Sequence, residues 1–181
     1  RLLSNESARR GALGDREVIA SVMRSGAIDD VLVSSLNCTD MFPGGCPTAT
    51  ETNMFAATKK ILQGTDDAVF SSLQKHAWRL GGSYHSKPTV VSGVPYNSGY
   101  TDLPGYYQFS QDIAAEGRHS VVYLGTMLGS LEAFAVDGST DFDGGHEVFS
   151  YVPREFLPYA PLVYQTQKLF GVDGTPAHRD L

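Results

Sequence analysis

The side chains of this sequence that could do chemistry are few, and their spacing narrows what they can do. The five histidines, His76, His85, His119, His146 and His178, include no His-x-His pair and no i, i+4 pair, so the usual metal-ligand spacings are absent. His85 lies in Tyr84-His85-Ser86-Lys87-Pro88 and is the right residue type to act as a general base on Ser86. Adjacent residues of an extended strand point to opposite faces, however, and no third relay member is evident. His85 therefore reads as a packing or backbone-bonding histidine. There is no Gly-x-Ser-x-Gly elbow and no Gly-rich phosphate loop. No catalytic residue is assigned, no relay of His with Ser or carboxylate is expected, and the chain reads as a non-enzyme.

The acidic candidates are Asp137, Asp141 and Asp143, which with Ser139 precede Gly144. Alternating oxygens followed by a glycine resemble the first half of a calcium loop. The bidentate Glu expected six residues after the glycine is missing, and Ser150 stands there. The competing reading is a solvated turn between strands. Calcium is the one cofactor these residues bring forward. Asp173-Gly174 reads first as a hairpin signal. Tyr96, Tyr100, Tyr106 and Tyr107 cluster in a Tyr- and Gly-rich stretch from Tyr96 to Gly117, expected to be a long surface loop. Exposed tyrosines give rigid amphipathic contact area for protein or glycan; the alternative is that these rings pack the loop down.

The two cysteines, Cys38 and Cys46, are separated by Thr-Asp-Met-Phe-Pro-Gly-Gly, and such a loop reverses easily. Two cysteines this close, with none elsewhere, suggest one local disulfide in an oxidising compartment; the alternative is two independent buried thiols. Asn5-Glu6-Ser7 and Asn37-Cys38-Thr39 fit the N-glycosylation pattern, which matters only in a eukaryotic secretory chain.

The elements that must position these residues are bounded by composition. The chain has 181 residues, 41% hydrophobic and 19% charged, with a formal net charge of −6. That is one domain or a large part of one, able to pack a core and poorly suited to binding a phosphate backbone. No apolar run approaches the roughly 18 residues of a membrane span. The chain opens Arg1-Leu2-Leu3 with no starting Met and no signal-peptide pattern, so it is expected to be a processed product or a piece of something longer.

The first half reads as helical. Val18, Ile19, Val22 and Met23 form one face of a helix over Asp15–Arg24. Thr48-x-x-Glu51 is a capping box before Met54, Phe55, Ile61 and Leu62, and a third helix follows from Thr65 or Asp66 to Gly81. Beyond Gly82 the pattern is β: strands are expected at Thr89–Val91, Ser120–Leu124, Ser130–Val136, His146–Val152 and Lys168–Val172, with a tight hairpin at Leu124–Ser130. The expected organisation is a helical segment 1–83 carrying the Cys loop and a propeller-like β region 84–181, mainly β overall.

Four stretches of this β region carry a resemblance. Leu80-Gly-Gly-Ser-Tyr-His-Ser-Lys-Pro-Thr-Val-Val resembles the L-G-D-x-x-H-S-x-P-x-x-V segment that opens the β-propeller of PilY-type proteins, the large assembly and tip-adhesin proteins of type IV pili. Arg118-His-Ser-Val-Val-Tyr-Leu-Gly-Thr-Met-Leu-Gly-Ser-Leu-Glu-Ala-Phe is similar to their R-x-x-x-x-Y-V-G-A-N-D-G-M-L-H-A-F hairpin. Glu147-Val-Phe-Ser-Tyr-Val-Pro and Phe170-Gly-Val-Asp-Gly-Thr-Pro are similar to E-x-W-x-Y-I-P and Y-x-V-D-G-x-P. The signatures occur in the family's order over residues 80–181; residues 1–79 carry none.

The resemblance implies a partial β-propeller of about two blades, completed by further sequence or by partner chains, with Val121, Leu131, Phe134 and Phe149 packing between blades. It implies a binding and assembly module at a pilus tip, outside the cell or at its outer membrane, with minor pilins or other chains of the same assembly as partners. The sequence departs from the family at Met127-Leu128-Gly129, where Asn-Asp-Gly is usual, and at Glu132, where His is usual. No full copy of the family's calcium loop is present. A second resemblance, of Gly129–Asp137 and Gly145–Phe149 to the repeat of quinoprotein dehydrogenases, points to a propeller oxidoreductase. Those enzymes carry a vicinal Cys-Cys, which Cys38 and Cys46 are not.

Overall fold

A computed structural model describes residues 18–63, 82–92, 105–127, 129–138, 143–160, 162 and 171–178. The expected helix over residues 65–81, the glycosylation pattern at Asn5 and positions 168–170 of the last expected strand lie outside them.

The architecture is mainly β: one open, mixed sheet of six strands. In chain order these are β1 (Val18–Arg24), β2 (Ala27–Leu32), β3 (Thr89–Val91), β4 (Val121–Gly125), β5 (Leu131–Ala135) and β6 (Glu147–Val152). Their order across the sheet is β2-β1-β6-β5-β4-β3. Every pairing is antiparallel except β1 with β6, which is parallel, with Val18 opposite Ser150 and Ala20 opposite Val152. One sheet thus holds strands from both sides of residue 83.

The helix expected over Asp15–Arg24 is corrected: its described residues form strand β1. The apolar spacing that suggested one helical face arises because β1 is an inner strand with both faces covered. Val18, Ile19, Ala20, Ser21 and Val22 are all buried, so the run lacks the alternation of a strand with one wet face. β1 turns into β2 through Ser25 and Gly26, at φ 52° and 79°, the pair of left-handed residues that a two-residue hairpin of this twist requires.

Helices α1 (Cys38–Met41) and α2 (Ala49–Gln63) follow. The capping box is formed as expected. The Thr48 hydroxyl accepts from the Glu51 N–H at 3.2 Å, and the Glu51 carboxylate accepts from the Thr48 N–H at 3.0 Å, so each satisfies an N–H that the helix leaves unpaired. The stretch around Tyr106 is not a loop: helix α3 spans Tyr106–Ala115. Tyr106, Phe109, Ser110 and Ile113 are its less exposed positions, spaced three and four apart as one helical face.

The core lies on one face of the sheet. Val18, Ala20, Val22 and Val152 project from the strands and meet Val33, Leu36, Met41, Leu62, Leu157 and Ala160, with Phe42, Phe55 and Phe156 packed at the margin. Each fully buried Met, Leu or Val contributes about 1.5–3 kcal/mol. On the opposite face Ala133 stands between Tyr123 and Phe149 in register. It is fully buried under two rings whose centroids are 6.0 Å apart.

Candidate binding site at Asp173

The four expected strands within the described residues, β3 to β6, fall where their alternation places them, and the β4–β5 hairpin closes at Thr126–Ser130. The Thr126 N–H donates to the Ser130 carbonyl at 2.9 Å, and the Gly129 N–H to the Thr126 carbonyl at 3.1 Å. Gly129 has φ 88°, and a Cβ there would overlap the Phe156 ring; conformation and space both demand glycine. Within this hairpin the Thr126 and Ser130 hydroxyls are 2.9 Å apart and Ser130 donates to Glu132. Glu132 is fully buried although alternation alone gives no reason to bury a carboxyl there.

The tip of this hairpin is covered by two segments distant in sequence. The loop Gly82–Pro88 runs along one side, where the Gly82 carbonyl accepts from the Met127 N–H at 2.8 Å and the Ser86 hydroxyl from the Gly125 N–H at 3.0 Å. The segment Gly171–Pro176 runs along the other. It passes so close that a Cβ on Gly125 would overlap the Val172 carbonyl and one on Gly171 the backbone of Gly129.

Asp173 joins the two. Its carboxylate accepts the N–H of Tyr84 at 2.9 Å, of His85 at 3.0 Å and of Ser86 at 3.4 Å, and lies 3.1 Å from Nδ1 of His85. Thr175 Oγ1 accepts from the Lys87 N–H at 3.1 Å, and the Thr89 hydroxyl donates to the Pro176 carbonyl at 2.8 Å. Burial alone would raise the Asp173 carboxyl, but the three backbone N–H groups and the imidazole outweigh it and hold the group below the usual carboxylate range. The carboxylate is thus the buried, ionised hub of the site.

His85 does pair with a carboxylate, a partner that spacing along the chain did not reveal. Residues 171–172 are not a strand, and Asp173-Gly174 is not a hairpin turn in the described structure. The Asp side chain is buried and spent on the loop 88 residues earlier. The local sequence signal, Asp followed by Gly, Thr and Pro, also describes a turn. The side chains of His85 and Ser86 serve different partners, the Asp173 carboxylate and the Gly125 N–H. The His85 ring is packed edge-on by Tyr84 at 4.6 Å between centroids, and both side chains face solvent, 61% exposed for His85 and 73% for Tyr84. The arrangement recognises a carboxylate and displays two rings.

The other candidates lie apart from this hub. Asp137 and Asp143 are exposed on either limb of the β5–β6 connection, where the His146 N–H donates to the Asp143 carbonyl at 3.0 Å; Asp141 and Ser139 lie outside the described residues. Among the described residues no group of three His, Cys, Asp or Glu side chains could hold a metal ion. Tyr106 and Tyr107 open α3, with Tyr107 62% exposed, while Tyr96 and Tyr100 lie outside the described residues. Cys38 and Cys46 form a disulfide with Cα atoms 5.7 Å apart. Among the described residues no helix is long and apolar enough to cross a membrane. No family model, curated protein or solved structure matches this chain.

Proposed function

We propose that this chain is a binding and assembly module of a PilY-type pilus tip protein, acting in type IV pilus assembly and cell adhesion through protein contacts. The observation that carries this reading is the contiguity of the four stretches bearing the resemblance. The loop 82–88, the β4–β5 hairpin, β6 and the segment 171–176 make one continuous patch of sheet and hydrogen bonds. Short signatures that match by chance have no reason to pack against one another.

In this reading the sheet is part of a propeller whose remaining blades come from further sequence or neighbouring chains, because blades bury their faces only against one another. Val121, Leu131, Phe134 and Phe149 are half-buried, the state of residues that a neighbouring blade would finish covering. Minor pilins or other chains of the assembly are the partners, at the cell surface or pilus tip, and calcium at the Asp137–Asp143 loop belongs to the same proposal.

The test is cross-linking in cells from a photoreactive residue at exposed Val90 or Tyr107, combined with deletion of the encoding gene. Adducts with pilin-like subunits and loss of surface pili are expected. Intact piliation after deletion would refute the reading. Quinone-dependent dehydrogenase activity of the purified protein would replace it with the oxidoreductase alternative.

A further inference from the structure

We propose that the loop Gly82–Ser86 is a receptor for an aspartate-bearing peptide segment, and that the chain's own Val172–Pro176 occupies it as a detachable clasp. The proposal stands independently of the pilus reading.

Three consecutive backbone N–H groups, of Tyr84, His85 and Ser86, converge on one carboxylate. Successive amides turned inward form a concave anion site whose selectivity lies in the main chain. The imidazole of His85 adds a fourth contact at 3.1 Å. The bonds from the Tyr84 and His85 N–H groups to the ionised acceptor are charge-assisted, and the depressed Asp173 carboxyl agrees with an anion at the centre.

The receptor reads more than a charge. The Lys87 N–H seeks the Thr175 hydroxyl two residues beyond the carboxylate, and the Thr89 hydroxyl meets the Pro176 carbonyl. The missing side chain of Gly125 makes room for the Val172 and Gly174 carbonyls. A free carboxylate satisfies only the first requirement, whereas a Val-Asp-Gly-Thr-Pro segment satisfies them all.

The occupant is held differently from the sheet. None of residues 171–178 is in a strand, so the segment can leave without breaking a ladder. Among the described residues it is held by the Asp173 carboxylate, the Thr175 hydroxyl and the Pro176 carbonyl, with His178 Nε2 3.4 Å from the Arg118 guanidinium. Local opening of this kind costs less than global unfolding wherever few ladder bonds are broken.

The experiment uses the full chain, amide hydrogen exchange and a blocked synthetic peptide of residues 171–178. In Asp173→Asn the amides of Tyr84, His85 and Ser86 are expected to exchange about tenfold faster or more, while the amides of β5 keep their protection. In Asp173→Ala, which vacates the site, the peptide should restore that protection saturably, and the same peptide carrying Asn for its Asp should not. Unchanged exchange at residues 84–86 in Asp173→Asn would overturn the proposal. Failure of the peptide to protect Asp173→Ala would also overturn it. Loss of β5 protection in Asp173→Asn, or an Asp173→Ala chain that does not fold, would show the segment to be an integral part of the core and likewise refute a clasp. Thr175→Val offers a milder check: Lys87 exchange should rise with Tyr84 and His85 unaffected.

Discussion

Arg24 and Asp40 are joined across 16 residues by a hydrogen-bonded ion pair, Nη2 to Oδ2 at 2.7 Å with Nε 3.3 Å from Oδ1. The same Asp40 carboxylate accepts the Asn37 N–H at 2.7 Å and so closes the cap of α1, whose first residue is disulfide-bonded Cys38. One side chain therefore ties the end of β1, the start of α1 and the Cys loop together. Burial opposes its charge, but the bonds from Arg24 and the Asn37 N–H prevail and hold its carboxyl below the ordinary range.

Replacing Asp40 with Asn should cost about 1–3 kcal/mol, because a buried charge-assisted partnership and half of a cap are lost together. Urea unfolding of the two proteins side by side measures the difference. A midpoint equal to that of the parent would mean that the pair is screened and energetically idle.

Acid should destabilise the fold in a defined window. Asp40 and Asp173 both have depressed folded-state carboxyls, so their stabilisation is complete above the unfolded carboxylate value of about 3.9. It is lost as pH falls through the folded values. The melting temperature should hold from neutral pH to about pH 5 and fall below about pH 4. Asp40→Asn should flatten that decline, a result readable by calorimetry across pH.

Two glycine substitutions should differ in severity. Gly26→Ala meets open space, so only its φ of 79° opposes the change, a cost of about 1 kcal/mol. Gly129→Ala adds overlap with the Phe156 ring to a φ of 88° and should cost about 2–4 kcal/mol. Thermal unfolding ranks them; equal losses would mean that Phe156 yields freely.

The disulfide closes a short loop, with a sequence separation of 8, and should contribute about 2–3 kcal/mol. The Cys38→Ser, Cys46→Ser double substitution should lower the unfolding midpoint accordingly without disturbing β4–β6. Two free thiols in the purified, non-reduced protein would contradict the pairing.

Local signals served where local physics decides. The Thr48–Glu51 cap needs only a hydroxyl and a carboxylate three residues apart, and β4 and β5 need only alternation around a glycine turn. Readability failed where a distant neighbour sets the outcome. β1 is a strand because β2 and β6 take up the backbone hydrogen bonds on both of its edges, and its Val-, Ile-rich run with Ser25-Gly26 was the available clue. Glu132 is buried among hydroxyls supplied by the hairpin itself. Asp173 finds its donors in a loop 88 residues away, and Asp-Gly in sequence is indistinguishable from a turn. Helix α3 was hidden because its tyrosines and glycines read as loop composition, while the Tyr106–Phe109–Ile113 spacing carried the helix.

The parallel joint between β1 and β6 sets the order in which the molecule can be assembled. The β1–β2 hairpin has its register set locally by Ser25-Gly26, but its other edge has no mate until Ser150–Val152 leave the ribosome. Closing so long a stretch of chain for a three-residue ladder is entropically costly and kinetically late. During that wait an apolar strand edge is exposed, the kind of surface on which chaperones act and misassociation starts.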